Sequence, residues 1–134
     1  MRAFQSSHLH DLLSFFPELN IGIVYGSALT GRHQNESDVD IAVMADTLIP
    51  FQLRVEMLGI LEKELQREVD LVDLYDLHGP LLYEIFAHGR IVLKRSPQPL
   101  AQLLKRLWYD REDMAPLTRY VMQKQNERYF YGQT

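Results

Sequence analysis

The sequence predicts an α+β domain in which a small mixed sheet is flanked by helices. Segments with strand periodicity alternate with segments of helical periodicity in the order α-β-β-α-β-α-β-α. The chain has 134 residues, of which 46% are hydrophobic and 24% charged. These values are ordinary for one globular domain with a buried core. A single domain is therefore expected.

The first half of the chain contains two predicted helices and two predicted strands. Apolar residues recur at helical spacing between the capping candidate Ser6 and Pro17, which indicates the first helix. The short β-branched runs 19–25 (LNIGIVY) and 39–44 (VDIAVM) are typical of strands. An apolar stripe at helical spacing within 50–67 then predicts the second helix.

The second half begins with a third predicted strand at 69–74 (VDLVDL). The run 81–89 (LLYEIFAHG) has helical spacing and a terminal glycine, and 91–94 (IVLK) is a short edge strand. The core, 1–96, is then complete. The remaining residues, 97–134, predict a helical extension packed on the core within the same domain, as one helix or as two separated near Pro116.

Charge and cysteine content limit the classes of function. The net charge of −4 gives no general attraction to nucleic acid, which needs a basic surface. The absence of cysteine excludes disulfides and thiolate metal sites. No apolar run has the length of a signal peptide core or approaches the ~18 residues of a membrane-spanning helix, so a cytoplasmic protein is expected.

The chemistry-bearing residues are concentrated at 26–40 (GSALTGRHQNESDVD), between the first two predicted strands. Gly26 allows the backbone to approach phosphate oxygens closely, and Ser27 adds a hydroxyl. Asp38 and Asp40 share one face of a strand, about 6.6 Å apart along the backbone at ~3.3 Å per residue. Two such carboxylates suit Mg²⁺, which prefers oxygen ligands and often binds substrate phosphates as well.

The string Gly26-Ser27, ten residues, Asp38-Val39-Asp40, followed by a Val-Asp-Leu strand, resembles the minimal nucleotidyltransferase (MNT) group of the DNA polymerase β-like superfamily. The resemblance covers about 19–95. It implies a nucleotidyltransferase fold in which the Gly-Ser turn binds a nucleoside triphosphate. One departure from the family pattern is Thr30, because members often carry arginine at that position.

The resemblance also implies that three catalytic carboxylates hold two Mg²⁺ ions, and Asp38 and Asp40 supply two of them. The third comes from the VDLVDL strand, where Asp70 and Asp73 point to opposite faces. Asp70 is predicted, because the family's third carboxylate follows the first hydrophobic residue of this strand. Asp73 is the alternative.

The resemblance further implies a partner. MNT proteins of this size resemble antitoxins that are paired with HEPN-family ribonuclease toxins. These antitoxins transfer AMP from ATP to a tyrosine of the toxin. The expected protein is therefore an AMPylating antitoxin that forms a hetero-oligomer with its toxin. The alternatives are neutralisation by stoichiometric binding without catalysis, and nucleotidyl transfer to a hydroxyl of a small molecule.

The extension leaves two interpretations open. Its apolar residues at helical spacing, Met114, Leu117 and Val121 among them, are typical of packing residues. The aromatic cluster Tyr129, Phe130 and Tyr131 is either an interface anchor for the toxin or a frayed terminus.

Overall fold

The computed structural model describes residues 6–26, 38–110 and 123–125. Helices and strands alternate in the predicted order, which is thereby confirmed. The elements are α1 (Ser6–Ser14), β1 (Leu19–Tyr25), β2 (Val39–Ala45), α2 (Phe51–Leu65), β3 (Val69–Asp73), α3 (Pro80–His88), β4 (Arg90–Lys94) and α4 (Pro97–Asp110).

The described strands form one mixed sheet with the order β3-β2-β1-β4. β1 pairs antiparallel with both β2 and β4, whereas β2 and β3 are parallel. Parallel neighbours need a crossover connection, and α2 provides it. β4 lies at one edge of the described sheet, as its shortness predicted.

Each face of the sheet is covered by helices, so β1 and β2 are apolar on both sides. One face packs under α1 and α2, and its buried residues include Leu9, Leu13, Ile41, Val43, Met57, Leu61 and Leu71. The other face packs under α3 and α4, and its buried residues include Ile21, Ile23, Ala42, Leu82, Ile85, Phe86, Leu103 and Leu107. This burial on both sides explains the continuous apolar runs of the two central strands.

Two arginine side chains connect distant segments of the chain through hydrogen bonds to backbone carbonyl groups. Arg95 donates hydrogen bonds from Nη1 to the carbonyl oxygens of Phe16 and Leu19, both at 2.8 Å. Arg106 on α4 donates from Nη1 to the carbonyl oxygens of Leu74 at 2.8 Å and Leu77 at 2.9 Å. Arg106 therefore fixes the segment that leads into α3.

The ends of α2 and α3 differ in their backbone conformation. α2 ends at Gln66, which is left-handed at φ 57° and donates its N–H to Glu62 at 2.9 Å. α3 ends at Gly89, as predicted, but Gly89 has φ −87° and is not left-handed. A Cβ at Gly89 would instead collide with the backbone of Ile85 and the side chain of Ile23. Close packing, rather than a left-handed cap, explains this glycine.

The part of the predicted extension that the structure describes packs on the α3 face. Leu100, Leu103 and Leu107 of α4 are buried there. Gln125 is also buried, and its Nε2 donates to the carbonyl oxygens of Phe86 and Gly89. Pro116, the apolar positions beyond α4 and the aromatic cluster lie outside the described residues, and the division at 96 stays a prediction.

Within the described ranges, no helix combines the length and the apolar character that crossing a membrane requires.

Candidate active site

Three polar side chains form a row across the end of the sheet. Asp40 of β2 is paired in register with Asp70 of β3 and, on its other side, with Tyr25 of β1. Side chains of directly paired residues point to the same face of a sheet. The row therefore lies on the face that α3 and α4 cover, where Tyr25 and Val72 pack against the core.

The charge of Asp40 is disfavoured in this row. Partial burial, and then the nearby carboxylates of Asp70 and Asp38, raise the pKa of Asp40 above its usual value. Asp38 is exposed and directly precedes β2, at the same parity as Asp40. Asp38 and Asp70 thus both lie within electrostatic range of Asp40.

Gly26 lies next to this row, at a position that strongly favours glycine. Its φ is +80°, a conformation that other residues rarely adopt. A Cβ at this position would also overlap Oδ2 of Asp40. The backbone at Gly26 thus lies directly against the carboxylate of Asp40.

Tyr25 was not predicted as a site residue. Burial, followed by the charges of Asp40 and Asp70, raises the pKa of Tyr25 to about 12, so the phenol keeps its proton at neutral pH. Its position directly before Gly26, at the end of β1, is the sequence signal that could have identified it. Tyr25 pairs with Asp40, and the two side chains therefore lie on the same face of the sheet.

A pocket of about 530 Å³ opens above the row, a size typical of ligand sites. Tyr25, Gly26, Asp40, Asp70 and Val72 form its floor. Its wall is made by side chains of α3, namely Leu81, Glu84 and His88. The spacing of three and four residues places these side chains on one stripe of the helix, and the sequence interpretation had not assigned them.

Asp73, the alternative third carboxylate, is used for structure. Its Oδ2 accepts a hydrogen bond from the N–H of Ile49 at 2.8 Å, and its Oδ1 accepts one from the N–H of Tyr75 at 2.9 Å. Both oxygens are therefore occupied by backbone groups. Asp70, by contrast, lines the pocket. Its role as the third carboxylate, which the family resemblance implied, stays a prediction.

Ser27 and Thr30 belong to the segment 27–37, which lies outside the described residues. The nucleotide-binding role of Ser27 is therefore a prediction only.

The donor set fits a hard divalent cation. Asp40 and Asp70 offer only carboxylate oxygens, which Mg²⁺ prefers over nitrogen or sulfur ligands. Among the side chains that the structure describes, no group of three His, Asp or Glu residues converges closely enough to hold a metal ion alone. An ion here would therefore use substrate phosphates and water as further ligands, which is usual for Mg²⁺. The metal-binding role of Asp38, Asp40 and Asp70 stays a prediction.

A second groove, of about 500 Å³, lies on the opposite face between α1 and α2. It is lined by apolar side chains such as Phe15 and Ile60, with Glu18, Glu56 and Glu64 at its rim. It contains neither the strand carboxylates nor Gly26, and the candidate site is therefore the pocket under α3.

A family model described as "Polymerase beta, Nucleotidyltransferase" matches residues 8–98, which include every element of the site. The chain belongs to this nucleotidyltransferase family. The resemblance drawn from the Gly-Ser and Asp-Val-Asp motifs is thereby confirmed.

One curated nucleotidyltransferase relative is the protein adenylyltransferase MntA of Shewanella oneidensis. It is 32% identical over 74 residues, which are 55% of this chain and 53% of the relative. The chain thus spans about half the length of this curated relative.

Solved structures agree with the nucleotidyltransferase fold. A chain in a toxin-antitoxin crystal structure with AMP-PNP matches with a TM-score of 0.67 and 23% identity, covering 89% of this chain and 99% of that chain. A rebuilt and re-refined structure of the tri-AMPylated Shewanella oneidensis HEPN toxin in complex with MNT antitoxin gives a TM-score of 0.58 and 25% identity. That match covers 94% of this chain and 91% of the other. The predicted fold class is confirmed.

Proposed function

We propose that this protein is an antitoxin that transfers AMP from ATP to a tyrosine hydroxyl of a HEPN-family toxin. The observation that carries the proposal is the in-register pair of Asp40 and Asp70 beside Gly26 in a nucleotidyltransferase domain. The similarity to a protein adenylyltransferase and to chains of toxin-antitoxin complexes supports the choice of substrate.

The transfer itself is a displacement at the α-phosphorus of ATP. A bond forms between the tyrosine oxygen and the α-phosphorus, and the bond from that phosphorus to the oxygen bridging to the β-phosphate breaks. Pyrophosphate leaves, and the tyrosine loses its proton. The leaving and attacking oxygens lie on opposite sides of the phosphorus in such a reaction.

Asp38, Asp40 and Asp70 would hold the metal ions of this reaction. When bound, two Mg²⁺ ions supply positive charge that stabilises the attacking and leaving oxygens. The raised pKa of Asp40 has carboxylates among its causes, and a cation removes that repulsion. In this proposal Asp70, on the outer strand of the row, would also accept the proton of the attacking hydroxyl.

The remaining contacts position the nucleotide. Gly26 leaves room for the carboxylate of Asp40, and a glycine lets phosphate oxygens approach the backbone closely. The hydroxyl of Ser27 would add a donor to the phosphates. The protonated phenol of Tyr25, next to Asp40, offers a further hydrogen-bond donor to the site.

Intact-mass spectrometry of the toxin encoded beside this gene tests the proposal. The toxin is incubated with this protein, ATP and Mg²⁺, and the matched control carries Asp38→Ala and Asp40→Ala. Mass increments of one or more AMP groups that disappear in the control are expected. An unmodified toxin that the double variant still inhibits would instead establish neutralisation by binding. An unmodified and uninhibited toxin would favour a small-molecule acceptor.

A further inference from the structure

The wall of the pocket formed by α3 contains none of the predicted metal-binding or nucleotide-binding residues. Leu81, Glu84 and His88 lie on one stripe of α3, while Leu82, Ile85 and Phe86 are buried against the sheet. Leu81 is 41% exposed. Leu81 therefore presents an apolar side chain to the pocket that contains Asp40 and Asp70.

The direction of the transfer shows which substrate meets this wall. Gly26 lies at the end of β1, and Asp70 lies on β3, two strands away across the row. With the triphosphate at the Gly26 turn, pyrophosphate leaves on the β1 side. The attacking oxygen must then approach from the side of Asp70, because displacement at phosphorus is in line.

The side chains beside Asp70 suit an uncharged ring. Val72 is two residues further along β3, on the same face, and is half-buried. Leu81 of α3 lines the same pocket. Glu84 also lines this pocket, and its carboxylate repels phosphate.

We infer that Val72 and Leu81 form the wall against which the ring of the acceptor tyrosine packs, and that Glu84 contacts the polypeptide around it. The inference rests on the proposed function, because it names the acceptor side of the same site. Glu84 is 3.9 Å from His88 (Oε2 to Nε2), and both side chains are largely exposed. Glu84 therefore remains available to a lysine or arginine next to the acceptor tyrosine.

The test separates binding of the acceptor from binding of the nucleotide. Initial rates of AMP addition to the toxin are measured against toxin and against ATP for wild type and Leu81→Ala. Nucleotide affinity is measured without toxin, using a non-transferable ATP analogue and Mg²⁺. The matched control is Leu48→Ala, which removes a leucine of 51% exposure that does not line the pocket.

Leu81→Ala is expected to raise KM for the toxin about tenfold, from the lost contact of an apolar side chain. For Leu81→Ala, KM for ATP and the affinity for the analogue should remain at wild-type values. For Leu48→Ala, KM for the toxin, KM for ATP and the affinity for the analogue should all remain at wild-type values. Glu84→Gln should raise KM for the toxin about threefold at low salt and weaken its dependence on ionic strength. Glu64→Gln, an exposed glutamate on α2, is its control.

The outcomes distinguish the two proposals. A wild-type protein that adds no AMP to the toxin would overturn both the proposed function and the acceptor wall. Normal wild-type transfer with an unchanged toxin KM in Leu81→Ala would overturn the acceptor wall alone. A loss of analogue affinity in Leu81→Ala would likewise overturn it, because the pocket would then bind the nucleotide.

Discussion

Oδ2 of Asp40 occupies the space that a Cβ on Gly26 would need. The glycine of the Gly-Ser motif is thus required from two directions, by its positive φ and by a carboxylate on the neighbouring strand. The sequence interpretation attributed this glycine to phosphate alone. In the structure Gly26 also leaves free the space that the carboxylate of Asp40, a predicted metal ligand, occupies.

Gly26→Ala is therefore expected to lower the rate of AMP transfer at least about 100-fold, because Asp40 must move by the order of an ångström. The strained backbone should also reduce the free energy of unfolding by about 1–3 kcal/mol. Mass spectrometry of the toxin and urea unfolding measure the two effects. Gly79→Ala is the control for backbone strain, since Gly79 also has φ +80° but no atom stands near its would-be Cβ. Rates are compared at saturating toxin, because Gly79 directly precedes α3, which carries Leu81. A similar loss of transfer rate in Gly79→Ala would contradict the role of Asp40.

Asp70→Asn and Asp73→Asn should have opposite effects. Asp70→Asn removes a charge from the pocket and is expected to reduce transfer roughly 100-fold with little change in Tm. Asp73→Asn places an amide where two backbone N–H groups donate, which should destabilise the fold by roughly 1–3 kcal/mol. Transfer by the folded fraction of Asp73→Asn should be near normal. An active Asp70→Asn beside an inactive, folded Asp73→Asn would reverse the assignment.

Asp40→Asn is expected to raise the stability of the metal-free protein near neutral pH. The pKa of Asp40 is raised in the folded state from its ordinary 3.8, so the folded protein favours the protonated form. The stability that this group contributes is thus fully present below pH 3.8 and is lost as pH rises through the folded pKa. Urea unfolding in EDTA across this range should show a weaker fall with pH in Asp40→Asn than in wild type.

The same variant should respond differently to metal. Mg²⁺ is expected to raise the Tm of the wild-type protein, because a bound cation offsets the repulsion among Asp38, Asp40 and Asp70. The Tm of Asp40→Asn should change less. Equal shifts in both proteins would show that Mg²⁺ acts elsewhere.

Arg106→Ala should affect stability and the acceptor side together. Arg106 holds the segment from Leu74 to Leu77 that leads into α3, and its loss should cost about 1–3 kcal/mol. Because α3 carries Leu81, KM for the toxin should rise as well. Arg95→Ala is the comparison, since it removes similar hydrogen bonds near α1, far from the pocket. Thermal unfolding and the transfer assay measure both variants, and unchanged toxin KM in Arg106→Ala would argue against this coupling.

Periodicity was sufficient to predict the order of the elements and to place Asp70 and Asp73 on opposite faces of β3, because both depend only on local spacing along the chain. The choice of Asp70 as the site residue came from the family resemblance and stays a prediction. Periodicity could not predict that Asp73 would accept the N–H of Ile49, which is 24 residues away in sequence. Nor could it assign Leu81, Glu84 and His88, because their approach to the strand carboxylates follows from how α3 packs on the sheet. Gly89 was predicted as a helix end, but its packing against Ile23 is again a tertiary effect.

The crossover between β2 and β3 has a consequence during synthesis. Asp40 and Asp70 are neighbours in space only because α2 returns the chain to the same edge, and a tight turn cannot join parallel strands. A nascent chain that ends within α2 therefore carries Gly26 and Asp40 but lacks the outer carboxylate. We expect such a ribosome-bound fragment to be unable to modify a toxin, so protection begins only after β3 has left the exit tunnel and paired.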